Sequence, residues 1–128
     1  MKMEYINLIE LRKKLNNDKE IKKLKKEYKE LTGTPLKIVL LKWDNNQARK
    51  YLDLDKYGYK IALVIESYYT IEIAKQYFYK NKKSCELKLN NIVFDYEDEK
   101  KEIIKKIKKA TDDSLKIKQA KEKLGYLR

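Results

Sequence analysis

In 128 residues the chain carries 32 Lys and Arg against 20 Asp and Glu, a formal net charge of +12, with no histidine and one cysteine. That inventory excludes histidine-based acid–base catalysis, N/S zinc sites and internal disulfides, and three scattered glycines build no phosphate-cradling loop. What remains is one basic domain of modest core whose surface attracts polyanions.

The charge is distributed rather than gathered in a tail. Residues 1–35 hold ten basic and six acidic groups, residues 36–96 eleven and seven, and residues 97–128 eleven and seven, so each third is +4. Only Arg12, Arg49 and Arg128 are arginine. Lys, Ile, Tyr and Asn share A/T-rich codons, which accounts for lysine in place of arginine but not for the shortage of acids. No apolar run approaches the roughly 18 residues that span a bilayer, so no membrane partner is expected. The opening MKMEYINLIELRKK has an early acid and no small-residue cleavage site, so a secretory signal is not expected. A lone Cys85 suits a reducing, cytoplasmic setting.

The pattern predicts one α+β domain: a helical hairpin over 4–32, a sheet-containing core over 36–96 and C-terminal helices over 97–125. In the hairpin, Tyr5, Leu8, Ile9, Leu11 and Leu15 recur at helical spacing. Asn17 with Glu20 resembles a capping box, and Ile21, Leu24, Tyr28 and Leu31 form a seam suited to one helical neighbour. Gly33 and Pro35 stop the second helix. Residues 36–43 and 59–67 read as strands buried on both faces, separated by a short helix over 45–53 and a turn at 55–58. Thr70 opens a predicted helix to Lys82 with Ile71, Ala74 and Phe78 inward. Alternation of Cys85, Leu87 and Leu89 predicts a strand, turned at Asn90-Asn91 into a hairpin with 92–96. The sheet is therefore small, three- to four-stranded, and packed by helices. Glu97, Asp98 and Glu99 open a helix over 98–110, and the cap-rich Thr111–Ser114 predicts a break before a last helix. The C-terminal part is thus read as a helix pair. The break lacks a turn glycine, and the helix after it has no Arg or Asn for bidentate base reading, which disfavours a helix-turn-helix.

Carboxylate–metal chemistry is the one enzymatic route left. Glu86-Leu87-Lys88 has the E-x-K form of restriction-type nucleases, but Glu20-Ile21-Lys22 and Glu27-Tyr28-Lys29 have it too, and in so lysine-rich a chain it carries no weight. Glu66 at one strand end and Asp95-Tyr96-Glu97 at another follow an order similar to Toprim domains, where a strand-end Glu and a D-x-D pair hold Mg²⁺. The order departs from that family: Ser67 stands where glycine follows the Glu, no glycine follows Asp95, and the separation is short. Glu66, Asp95 and Glu97 are the weak catalytic candidates; as helix N-terminal acids and loop flanks they need no metal. No resident metal or cofactor is expected.

The expectation is therefore a small non-enzymatic nucleic-acid-binding protein, for DNA or RNA. Its phosphate contacts are assigned to Lys22, Lys23 and Lys26 on the second helix and to Lys101, Lys105, Lys108 and Lys109 on helix 98–110. The composition suits an accessory protein of a phage, plasmid or other mobile element. One alternative is a protein-interaction module, an inhibitor or adaptor, or a homodimer formed through helix 18–32. A second is a carboxylate–Mg²⁺ nuclease.

Overall fold

The structure, a computed structural model, describes residues 5–43, 59–79 and 81–125. The helix expected over 45–53 and the turn at 55–58 lie outside the described residues.

A short strand β1 (Tyr5–Asn7) leads into α1 (Leu8–Asn17), whose first turn is capped by the Asn7 side chain accepting from the Glu10 amide at 2.9 Å. Leu8, Leu11 and Leu15 make its buried stripe. The break falls at Asp18, one residue beyond Asn17. An extended backbone there ends α1, and the carboxylate caps α2 (Lys19–Thr32) by accepting from the Glu20 and Ile21 amides at 2.9 and 3.1 Å. Gly33, at φ 79°, closes α2 in the left-handed conformation that glycine adopts without steric cost. The predicted seam is consumed inside the chain: Ile21 and Tyr28 are fully buried, Leu24 partly, and Leu31 alone stays half exposed. This removes the apolar face on which dimerisation through helix 18–32 would depend.

Three antiparallel strands form the main sheet in the order β2 (Lys37–Trp43), β3 (Tyr59–Glu66), β4 (Ile71–Tyr79). β3 is central and buried from Lys60 to Ile65, which explains its unbroken apolar run. β2 is an edge strand, with Val39, Leu40 and Leu41 only partly buried, so burial on both faces belongs to β3 alone.

β4 occupies the segment read as a helix over 70–82. The cause is a bulge: Leu63 faces Lys75 while Val64 faces Ile73, leaving Ala74 as the extra residue. The bulge interrupts the two-residue alternation and leaves Ile71, Ala74 and Phe78 at a spacing that imitates a helix. The β-branched and aromatic content of IEIAKQYFY carries the strand instead.

Residues 85–89, read as a strand, belong to α3 (Lys82–Asn91). Asn81 caps it, accepting from the Ser84 amide at 2.8 Å; Cys85 and Leu89, four apart, are buried, while Leu87 is 53% exposed. Asn90 and Asn91 end this helix rather than turning a hairpin. β5 (Val93–Asp95) instead pairs with β1, in the register Tyr5–Asp95, Ile6–Phe94 and Asn7–Val93, to make a separate two-stranded sheet.

The last element, α4 (Tyr96–Gly125), is one helix of 30 residues. The expected break at Thr111–Ser114 is absent: Thr111 donates its hydroxyl to the Ile107 carbonyl at 2.8 Å, and Ser114 is buried. Ile103, Ile107, Ala110 and Ser114 form its inward stripe. Lys100 reaches Asp18 and Glu20 at one end and Lys118 reaches the Leu31 carbonyl at the other, so α2 and α4 run side by side in the same direction. The α1 leucines, Ile21, Tyr28, one face of the main sheet (Ile61, Leu63, Ile65) and Ile103 and Ile107 share one core. The fold is α+β, and no described helix is long and apolar enough to cross a membrane.

Candidate nucleic-acid interface

Because α4 is continuous, its outward positions form one straight row. Residues 101, 105, 108, 112, 116, 119 and 123 recur at steps of three and four and are all exposed: Lys101, Lys105, Lys108, Asp112, Lys116, Gln119 and Lys123. At 1.5 Å per residue this ridge is about 33 Å long. Lys105 approaches Glu102 at 4.0 Å, a loose and exposed pair; among the described residues no ion pair reaches Lys101 or Lys108. Lys109 lies off the ridge, towards β4, where it meets Glu72 at 3.4 Å.

α4 is also polarised. Residues 97–104 carry four acids and two lysines, −2 in all, whereas residues 105–125 carry eight lysines and three acids, +5. The acids sit at the helix N-terminus, where the macrodipole favours them, and the lysines towards its negative end.

Lys22, Lys23 and Lys26 are exposed on α2, on the side away from Ile21 and Tyr28. They do not join the α4 ridge into one patch. Glu20 lines the groove beside Lys101, Ile104, Lys105 and Lys108, and it draws in Lys100, which also bridges to Asp18 at 3.1 Å. Lys25 turns inward and donates to Asn16. Burial first, and then the neighbouring Lys22 charge, push its pKa down.

Asp18 is the electrostatic hub of this side. Besides capping α2 it accepts from the Tyr96 hydroxyl at 2.9 Å. Partial burial works to raise its pKa, but the hydrogen bonds from Lys100, Ile21 and Tyr96 outweigh it, and the carboxyl is held below its ordinary value of 3.8. Burial and the same carboxylate push the Tyr96 phenol far up.

The candidate catalytic acids do not converge. Glu66 ends β3 in the main sheet, opposite Lys37 and Ile71, whereas Asp95 lies in the two-stranded sheet opposite Tyr5. Asp95 accepts from the Glu97 amide at 3.2 Å, the bond of a helix cap. Among the described residues no group of three or more His, Cys, Asp or Glu is placed to hold a metal ion. Cys85 is buried and its thiol pKa raised, chiefly by that burial, which leaves it a core residue with little thiolate.

Two features lie outside the predicted site residues. The Tyr28 hydroxyl, buried at the α2–α4 contact, bonds Ser67 at 2.5 Å and shares a hydrogen bond with Ser114 at 2.8 Å, tying α2, the β3–β4 turn and α4 together. The signal was present: Ser114 continues the inward stripe of Ile103, Ile107 and Ala110, so a polar residue there calls for a buried partner. The second is at the turn itself. Tyr68 is 72% exposed and meets Tyr69 edge to face at 5.0 Å, with the Lys121 ammonium 4.8 and 5.5 Å from the two ring centroids.

No protein-family model, curated protein or solved structure matches this chain.

Proposed function

We propose that the protein is a non-enzymatic nucleic-acid-binding protein that holds the phosphate backbone along the α4 ridge. The observation that carries this reading is the continuity of α4. It sets Lys101, Lys105, Lys108, Lys116 and Lys123 in one exposed line, where a broken helix pair would have aimed them in two directions. Lysine acts here as a point charge on a flexible stem, good for following phosphates and poor for bidentate base reading. The ridge has no arginine, so affinity comes from the backbone and the binding is tolerant of sequence. Lys22, Lys23 and Lys26 on α2 supply a secondary contact across the Glu20 groove. A cytoplasmic setting belongs to this reading, since a lone thiol is at home there.

Counterion release tests it. Five phosphate contacts give a slope of log K against log salt of about −3.5 to −4.5, at 0.7–0.9 per contact. Titration of labelled duplex and single-stranded DNA and RNA between about 50 and 200 mM salt is expected to show that steep fall. Absence of binding to all of them at the lowest salt would overturn the proposal, because the electrostatic contribution is largest there.

A further inference from the structure

From the exposed pair of rings at the β3–β4 turn we infer that Tyr68 is a stacking platform for an unpaired nucleobase, so that single-stranded nucleic acid is the preferred ligand. This rests on the phosphate-binding reading above and adds the substrate class to it. Tyr68 is the most exposed of the large apolar side chains described, which leaves ring surface open to a base.

The turn that presents it is rigidly built. Ser67 accepts at its hydroxyl from the Tyr69 and Thr70 amides, both at 3.2 Å, and its own amide donates to the Thr70 carbonyl at 2.9 Å. That hydroxyl is tied in turn to the buried Tyr28. The backbone that carries the two rings is thus fixed before any ligand arrives, which lowers the ordering cost of binding.

The cations are arranged to match. Lys121 lies against both rings, ready to meet the phosphate of a base that stacks on Tyr68. Inward burial of α4 ends at Ser114, so the helix beyond it is largely exposed around its circumference. Lys121 and the ridge residues Lys116 and Lys123 lie on opposite flanks of that stretch, about 10–12 Å apart across the helix. A flexible single strand can cross from the ridge to Lys121 and deliver a base to Tyr68. A stiff duplex, its bases already paired, can use the ridge alone.

The test compares a labelled single-stranded oligothymidylate of about 16 nucleotides with a duplex of equal length, at low salt, on the full chain. Tyr68→Ala is expected to weaken single-strand binding about five- to a hundred-fold, the worth of one base stack, while leaving duplex binding unchanged. Tyr68→Phe keeps the ring and is expected to bind the single strand as the unsubstituted chain does. Tyr68 is exposed, so neither variant disturbs the core, and circular dichroism verifies that. Single-strand affinity unchanged by Tyr68→Ala, or an equal loss on single strand and duplex, would overturn the stacking site and leave the ridge proposal standing. No binding to either probe by the unsubstituted chain would overturn both.

Discussion

One oxygen of the Asp18 carboxylate accepts from the Glu20 and Ile21 amides while the other takes the Tyr96 hydroxyl and the Lys100 ammonium. All four bonds favour the charged form, which is why the pKa falls despite burial. A carboxylate whose folded pKa is depressed stabilises the fold fully above its unfolded value and progressively less as pH falls through the folded value. The window here opens near 3.8 and extends below it. Asp18→Asn preserves the cap, since asparagine caps as well as aspartate, but loses the charge. In urea unfolding the variant is expected to be less stable than the unsubstituted chain near pH 7, with the difference shrinking to nothing once Asp18 is protonated. A pH-independent difference would mean that the cap geometry, and not the charge, is what matters. Asp18→Ala removes the cap as well and is expected to cost about 2–3 kcal/mol at neutral pH, combining a lost cap with the loss of the charged acceptor for Tyr96 and Lys100.

Among the elements, β4 and α3 were misread for opposite reasons. In β4 a single bulge residue, Ala74, shifts the strand's alternation by one, so the period-2 signal is lost although β-branched and aromatic residues fill the segment. In α3 the ten residues are too few for their helical period to stand clear, and Leu87 completes an accidental alternation with Cys85 and Leu89. By contrast α1, α2 and β3 were legible, because a full stripe or an unbroken apolar run is buried in each. The alignment of Lys101, Lys105 and Lys108 on one helix face was legible; its continuation to Lys116 and Lys123 was not, because it depends on Ser114 being buried against Tyr28 rather than capping a new helix. Truncation separates the two readings of α3. A strand would place Leu87 and Leu89 on one face and make them equally costly. The helix buries Leu89 and leaves Leu87 exposed, so Leu89→Ala is expected to cost about 2–4 kcal/mol and Leu87→Ala less than about 0.5 kcal/mol in denaturant unfolding. Equal costs would contradict the helix.

At the scale of the whole molecule, a net +12 attracts any polyanion, so affinity for nucleic acid alone says little about where it binds. The structure separates position from charge. Lys101, Lys105 and Lys108 belong to the α4 ridge, whereas Lys22, Lys23 and Lys26 lie on α2 beyond the groove that Glu20 lines. Converting either trio to glutamine lowers the net charge by the same three units and leaves the cores of both helices untouched. If the long-range field were the whole cause, the two triple variants would lose affinity and salt dependence alike. If phosphates seat on the ridge, the α4 variant loses about 2–3 from its salt slope, one contact per lysine, while the α2 variant loses less than about 1. The single-strand preference argued from Tyr68 sharpens the comparison. The α4 variant is expected to weaken duplex and single strand together, because both lie along the ridge, whereas Tyr68→Ala separates them. Equal slopes for the two lysine trios would return the protein to a diffusely charged surface with no defined track for the backbone.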